Sequence, residues 1–345
     1  MDDFHYSVDR TRRSLLKYAG LLGLGMVSCG LLHAETAEAV LFNKREYKVT
    51  RTGTAMGTSV SITAIHPSRD EAEKAIWLAF EEIDRLQGML THHDPCSPIG
   101  KLNTAGRLEH VPLEVKEVIS GSLDYHRETG GAFDITIKPL LDLYKNGFGD
   151  NKQPINHEIE QALKLVDANR VYFRDGALEY GLGEMAITLD GIAKGYIVDK
   201  VSEVLMKNGV SNHLINAGGD IRVSGTAEKN RPWNIAIQDP DKSAEYPDVV
   251  RMNAGGIATS GNYEIFFDQE KLHHHIIDSR SGSSPLSLAG VTVIAPTVMD
   301  ADALATSVFV MGPQRGKQFI NNRLSCECLL IGRDNSTYRS TGWQV

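Results

Sequence analysis

The sequence predicts a mixed α/β fold, a sandwich of mixed sheets with flanking helices. Three observations predict it. Segments of alternating apolar and β-branched residues recur along the chain and interleave with segments of helical period. Many of the strand-like segments have the length and turn residues of antiparallel hairpins. No Pro/Ser-rich linker, internal repeat or low-complexity tract divides the chain, so residues 40–345 are expected to form a single domain.

The elements follow in order. Residues 47–65 read as strands interrupted at Gly53-Thr-Ala-Met-Gly57. Ser68-Arg-Asp-Glu71 has the form of a capping box, and Ile76, Phe80, Ile83 and Leu90 then repeat at helical spacing. Residues 91–106, with Pro95, Pro98 and Gly100, read as a polar loop. Pro112 opens a second helix that stops near Gly130-Gly131. Residues 132–137 read as a strand entering Pro139, and 146–157 as a loop. A short helix and two strands follow. Residues 191–208 read as a helix with Ile192, Tyr196, Val201 and Leu205 on its apolar side and Gly209 as its stop. Strands are expected at 213–224, 233–238, 256–260, 263–267, 273–278 and 291–294. A helix over 300–311 stops at Gly312-Pro313, and a last helix and strand complete the chain.

The N-terminus reads as an address. Thr11-Arg12-Arg13-Ser14-Leu15-Leu16-Lys17 is a twin-arginine pattern, an apolar run follows over 19–32, and Ala37-Glu38-Ala39 offers a cleavage site. The run is too short and Gly-rich to span a bilayer well. Residues 1–39 therefore read as a twin-arginine export signal to the periplasm or cell envelope. A retained anchor is the competing reading. Ser28-Cys29 also resembles a lipid-anchoring site, although Met26 is a poor residue three before the cysteine.

Composition excludes several classes. The 345-residue chain has a formal net charge of −8 and no long basic run, which argues against nucleic-acid binding and against charge-driven docking on anionic membranes. Beyond Cys29 the chain has Cys96, Cys326 and Cys328, an odd number that forbids a fully paired disulfide framework. Cys326 and Cys328 sit at strand spacing and read as buried thiols.

Chemistry concentrates in glycine-rich turns. These are Ala55-Met-Gly-Thr58, Thr129-Gly-Gly-Ala-Phe-Asp134, Leu189-Asp-Gly-Ile-Ala-Lys-Gly-Tyr196 and Asn216-Ala-Gly-Gly-Asp220. Glycine turns let backbone N–H groups approach a ligand, and a helix beginning after the 191 turn offers its N-terminus to phosphate, with Lys194 adding positive charge. The spacing matches neither a P-loop nor a dinucleotide fingerprint. Taken singly, each turn is also explained by plain turn chemistry. Asp302 and Thr306, four apart on a helix, put a carboxylate and a hydroxyl on one face, which suits a hard cation such as Mg²⁺. Helix capping is the alternative reading for that segment. His273-His-His275 lacks the partners of a zinc site. It reads either as an exposed hairpin triplet or as a catalytic or ligand-contacting histidine, with Asp278 fixing the loop that follows.

In this order the motifs resemble the ApbE family, the FAD:protein FMN transferases. The resemblance spans residues 47–312 and adds Asp94-Pro-Cys-Ser97 with Leu102-Asn103, Thr259-Ser-Gly-Asn-Tyr-Glu264, His274-His-Ile-Ile-Asp278 and Met299-Asp-Ala-Asp302 to the segments above. It implies a two-lobed domain with FAD in the cleft between packed lobes. It implies FAD contacts at Met56, His93, Ala132, Phe133, Asp134, Asp190, Lys194 and Ile276. It implies Mg²⁺ held by the Ala193 carbonyl, Asp302 and Thr306, with Ala305 adjoining, and catalysis by His275 and Asp302. His93 falls where many members carry an aromatic residue. The loop 96–100 and Ser279-Arg-Ser-Gly282 depart from the family pattern. The implied reaction moves FMN from FAD to a Thr or Ser hydroxyl of an exported electron-transfer protein, with release of AMP. A metal-dependent FAD pyrophosphatase and a non-enzymatic flavin-binding protein are the competing functions.

Overall fold

The computed structural model describes residues 35–43, 45–150, 152–241 and 246–343. The twin-arginine motif and Cys29 lie outside the described residues. The ladder begins at β1 (Glu35–Asn43), which already contains Ala37-Glu38-Ala39 and pairs with β2 (Glu46–Ala55). Cleavage after Ala39 would therefore shorten an edge strand rather than trim a tail ahead of it.

The centre is a nine-stranded sheet in the order β1, β2, β3 (Thr58–His66), β7 (Asn212–Ala217), β8 (Asp220–Ser224), β11 (Ala254–Gly261), β12 (Leu288–Ala295), β13 (Glu327–Gly332), β14 (Thr337–Arg339). Every neighbouring pair in it is antiparallel. The expected mixed α/β class holds, while the sheets are antiparallel rather than mixed. A small sheet joins β4 (Arg107–Leu108), β6 (Ala177–Tyr180) and β5 (Val171–Arg174), and a hairpin joins β9 (Trp233–Ala236) to β10 (Val249–Met252).

Helices cover one face of the large sheet. Ser68 caps α1 (Arg69–Leu90) by accepting from the Glu71 amide at 3.3 Å. Ala72, Ala75, Ile76, Ala79, Ile83 and Leu86 on α1 are fully buried in the main core with α6 (Ala193–Lys207) and α7 (Val298–Met311). The opposite face of the sheet packs Ile221, Val223 and Ile257 against Trp233, Ile235 and Trp343. No helix among the described residues is long and apolar enough to cross a membrane.

Several local expectations are corrected. Ser97 caps α2 (Pro98–Ala105) inside the expected polar loop, since Pro98 at the first helical position is a starter rather than a breaker. After α3 (Leu113–Thr129), stopped by Gly130 in the left-handed region, residues 132–137 form no strand. Asp134 instead caps a one-turn 3-10 helix, Ile135–Ile137, that runs into α4 (Lys138–Gly149). The segment 213–224 is a hairpin turning at Gly218-Gly219, both at positive φ, not one strand. Residues 263–278 hold a single bridge between Phe266 and His274 rather than two strands. The remaining helices are α5 (Asn156–Leu163) and α8 (Pro313–Asn321).

Candidate active site

The site grows from the meeting of α6 and α7. Helix α7 is almost wholly apolar because it is buried between the sheet and α6, and Thr297 caps its start through the Asp300 amide at 3.0 Å. Asp302 thus lies within the helix and is not its cap, which removes the capping alternative. Its Oδ2 accepts from the Gly195 amide at 3.1 Å. One turn on, Thr306 Oγ1 lies 3.2 Å from Ser260 Oγ of β11. A Cβ on Gly191 would stand 3.1 Å from Thr306 Oγ1 and 3.3 Å from the Phe133 ring, so glycine lets this turn close on α7. The same holds at Gly195, where a Cβ would fall 2.5 Å from the Val298 carbonyl oxygen. Asp199 fixes the register of the two helices by accepting from the Val298 and Met299 amides at 3.0 and 2.9 Å.

The electrostatics at this junction are unusual for a core. Burial pushes the Asp302 carboxyl well above the usual carboxylate range, and the nearby Asp220 pushes it further. Asp220 is itself buried, with Oδ2 accepting no directed hydrogen bond but lying 3.2 Å from Lys194 Nζ. Asp220 and then Asp302 hold the Lys194 ammonium firmly protonated, so one cation serves two buried carboxylates. Such a set has room for more positive charge. Among the described residues no cluster of three or more His, Cys, Asp or Glu has metal-binding geometry. An ion here would instead draw on one carboxylate, the Thr306 hydroxyl, the main chain and a ligand's oxygens. That donor set is all oxygen and fits Mg²⁺ better than zinc.

A cavity of about 710 Å³ opens beside this junction. Ala193, Lys194 and Asp190 line its floor, and Met56 and His93 line its wall. Met56 and Gly57 form a two-residue turn with φ of 51° and 71°, joining β2 to β3. The Met56 amide donates to Gln87 Oε1 of α1, which locks this left-handed residue in place. Holding a non-glycine residue there costs about 1 kcal/mol or more. Gly218 packs on Thr58, so the turn at 56–57 and the turn at 218–219 meet at the cavity rim. His93 is exposed and tilted against His92 at 3.9 Å between ring centroids. Asp190 is exposed, with its Oδ1 3.7 Å from His92 Nδ1.

The histidine triplet splits three ways. His273 pairs with Asp268 at 2.6 Å. His274 is buried, edge-on to Phe309 at 5.5 Å, with Nε2 3.1 Å from the Pro285 carbonyl oxygen. Burial lowers its pKa to about 4. His275 keeps some solvent contact, and its Nδ1 lies 3.0 Å from the Ile265 carbonyl oxygen. A carbonyl only accepts, so Nδ1 carries the proton and Nε2 is the basic nitrogen. Burial lowers the His275 pKa, and the field of Lys194 adds to this against that of Asp190. The ring is neutral near pH 7, as a general base must be. Asp278 closes the following loop, accepting from the Arg280 amide at 3.0 Å while the Gly282 amide donates to the Asp278 carbonyl oxygen at 2.8 Å.

Other residues expected at the ligand are turned inward. Asp134 accepts from the Thr136 amide at 2.7 Å and lies 3.1 Å from His126 Nδ1, so its buried carboxylate organises the loop. Ala132, Phe133, Ile276 and Ala305 are buried in the core, and of these Phe133 touches the site through Gly191. Asp220, Gln87, Tyr263 and Glu264 are site residues that the sequence reading did not single out. Of these, Asp220 is buried and directly follows Gly218-Gly219, a signal that an acid after Gly-Gly could have carried, whereas Glu264 is exposed and follows Asn262-Tyr263.

Comparison with known proteins decides the family. The ApbE family model matches residues 56–330. The chain belongs to the ApbE family. An FAD:protein FMN transferase of Klebsiella pneumoniae is 30% identical over 287 residues, covering 79% of this chain and 81% of that protein. One from Haemophilus influenzae is 28% identical and covers 89% of this chain and 93% of its own length. The crystal structure of the ApbE protein of Thermotoga maritima superposes with a TM-score of 0.77 at 29% identity, over 86% of this chain and 97% of that one. The flavin transferase ApbE of Vibrio cholerae gives 0.75 at 26% identity, over 89% and 98%. Across the ApbE fold of this chain, the family match takes in both the Met56 turn and the Asp302 helix.

Proposed function

We propose that this ApbE-family chain transfers the FMN half of FAD to a Thr or Ser hydroxyl of an acceptor protein, releasing AMP. The observation that carries the reading is the buried Asp302 carboxylate against the Gly191–Gly195 turn, beside a cavity floored by Ala193 and Lys194. The names of the relatives supply the reaction class, and this junction supplies groups suited to a diphosphate.

FAD binds in the larger cavity, with the 190–195 turn facing its diphosphate. Lys194 offers a fixed ammonium to the phosphate oxygens, and Asp220 keeps that ammonium charged and aimed. Mg²⁺, held by the Ala193 carbonyl, Asp302 and Thr306, would neutralise diphosphate charge and favour departure of AMP. His275 Nε2 takes the proton of the acceptor hydroxyl as its oxygen bonds to the FMN phosphorus. The phosphorus–oxygen bond to AMP breaks, and AMP carries away that electron pair. Docking of the acceptor excludes water, which would otherwise convert FAD to FMN and AMP. The twin-arginine motif at residues 11–17 supports action in the periplasm or cell envelope.

The test needs an acceptor. Cells expressing the chain are screened for a protein with covalent flavin fluorescence, and its modified domain is re-expressed without any flavin transferase. Purified chain, FAD, Mg²⁺ and that domain are expected to give AMP and a domain heavier by one FMN, with loss of both on chelation. FAD consumption yielding free FMN and no mass gain would make the chain a pyrophosphatase instead.

A further inference from the structure

We propose that a second, smaller pocket receives the Thr- or Ser-bearing segment of the acceptor in extended form; this rests on the transfer reading above. The pocket holds about 310 Å³ and lies where the β7–β8 turn meets β9. It shares Gly218, Gln238, Tyr263 and Glu264 with the FAD cavity, so the two adjoin at these residues. A segment seated in the smaller pocket would therefore lie beside the FAD cavity.

The lining selects the occupant. Ser59 and Ser61 of β3, Asn216 of β7 and Thr259 of β11 give hydroxyls and an amide. Ile235 and Ile237 give an apolar side. No Lys, Arg or His lines this pocket, and Glu264 is its one charged residue. A diphosphate finds no cation there, whereas a neutral chain with small side chains finds hydrogen-bond partners and apolar cover. Strand β9 also pairs only with β10 among the described residues, which leaves one edge of main-chain groups for an added strand. The volume is less than half that of the FAD cavity and suits a short segment rather than a second dinucleotide.

Filling the pocket tests this. Ser59 and Ala236 are exposed at it, so Ser59→Phe and Ala236→Trp add bulk without emptying the core. The probe is the re-expressed acceptor domain described above. Both variants are expected to keep FAD affinity, read by flavin fluorescence titration, within about twofold of the parent. Transfer is expected to fall about tenfold or more in kcat/KM for the acceptor, mostly through KM. Unchanged melting curves show that the bulky variants fold. Transfer equal to the parent's in both folded bulky variants overturns the proposal, as does FAD affinity that falls in step with transfer, which would assign the pocket to FAD. If the parent itself makes no adduct, the transfer reading fails and takes this inference with it. Should neither bulky variant fold, photo-crosslinking from position 236 in the full chain decides: no acceptor crosslink overturns the proposal.

Discussion

Two buried aspartates of the same molecule do opposite work. Asp134, in the loop after α3, has its carboxylate engaged by the Thr136 amide, the Thr136 hydroxyl and His126. Asp302, inside α7, has one backbone amide, from Gly195, and a second carboxylate nearby instead of a partner of its own. A satisfied buried carboxylate holds a loop. An under-compensated one, beside a cavity, is a site waiting for charge. The histidines repeat the contrast: His274 is enclosed between Phe309 and Pro285, while its neighbour His275 keeps solvent contact and a basic nitrogen.

The comparison can be broken in five places. Asp302→Ala is expected to reduce turnover about 10³-fold, measured as AMP release, by removing charge that the transition state needs. Asp302→Asn should do the same while leaving thermal stability equal or higher, because an uncompensated buried charge is gone. A cooperative loss of fold in Asp302→Asn would make Asp302 merely structural.

Acid should unfold the protein through rings that must stay neutral. His213, between Ser202 and Val210, and His274 are both lowered to about 4 from an ordinary value of 6.5. A depressed folded-state value means the unfolded chain binds protons first. The stabilisation is complete above about 6.5 and is lost as pH falls from there toward 4, amounting to about 3 kcal/mol per ring. Urea midpoints measured from pH 7.5 to 4.5 should fall, and the fall should shrink in His213→Gln.

Asp134→Ala should cost about 2–3 kcal/mol of stability by leaving the Thr136 amide and His126 unpaired, with turnover of the folded fraction largely kept. Chemical denaturation beside initial rates separates the two. His275→Ala should lower turnover about 10²-fold with little effect on melting. In the parent, the rate should hold from neutral pH downward and fall only below the ordinary imidazole range, because burial lowers the pKa of that ring. Gly191→Ala is the mildest probe. Its Cβ would press on Thr306 and Phe133, so a stability change under about 1 kcal/mol and a modest rise in KM for FAD are expected. A silent Gly191→Ala would mean the turn and α7 are not closely fitted.

Much of this was legible from the residues alone. Helices α1 and α6 showed in their apolar period, with Ser68 and Gly209 at their ends, and α3 and α7 showed in Pro112 and in the Gly130 and Gly312 stops, because those signals are local and short-range. The motif set named the family, and the spacing of Asp302 and Thr306 put two oxygen donors on one helical face. The sequence could not show that 132–137 would coil, because Asp134 caps a 3-10 turn only once His126 and the chain near Ala168 are packed beside it. Nor could it show that 263–278 would hold one bridge, since alternation does not say whether a partner strand arrives.

Local pattern determined the class of fold, most helices and the chemical types at the site. Only the tertiary structure decided which buried acid is satisfied and which is not. That depends on Lys194 reaching Asp220, on Gly191 and Gly195 closing against α7, and on two hairpin turns more than 150 positions apart meeting at one rim. Burial and partner distance set the free energy of a charge, and neither is a property of the residue's neighbours in sequence.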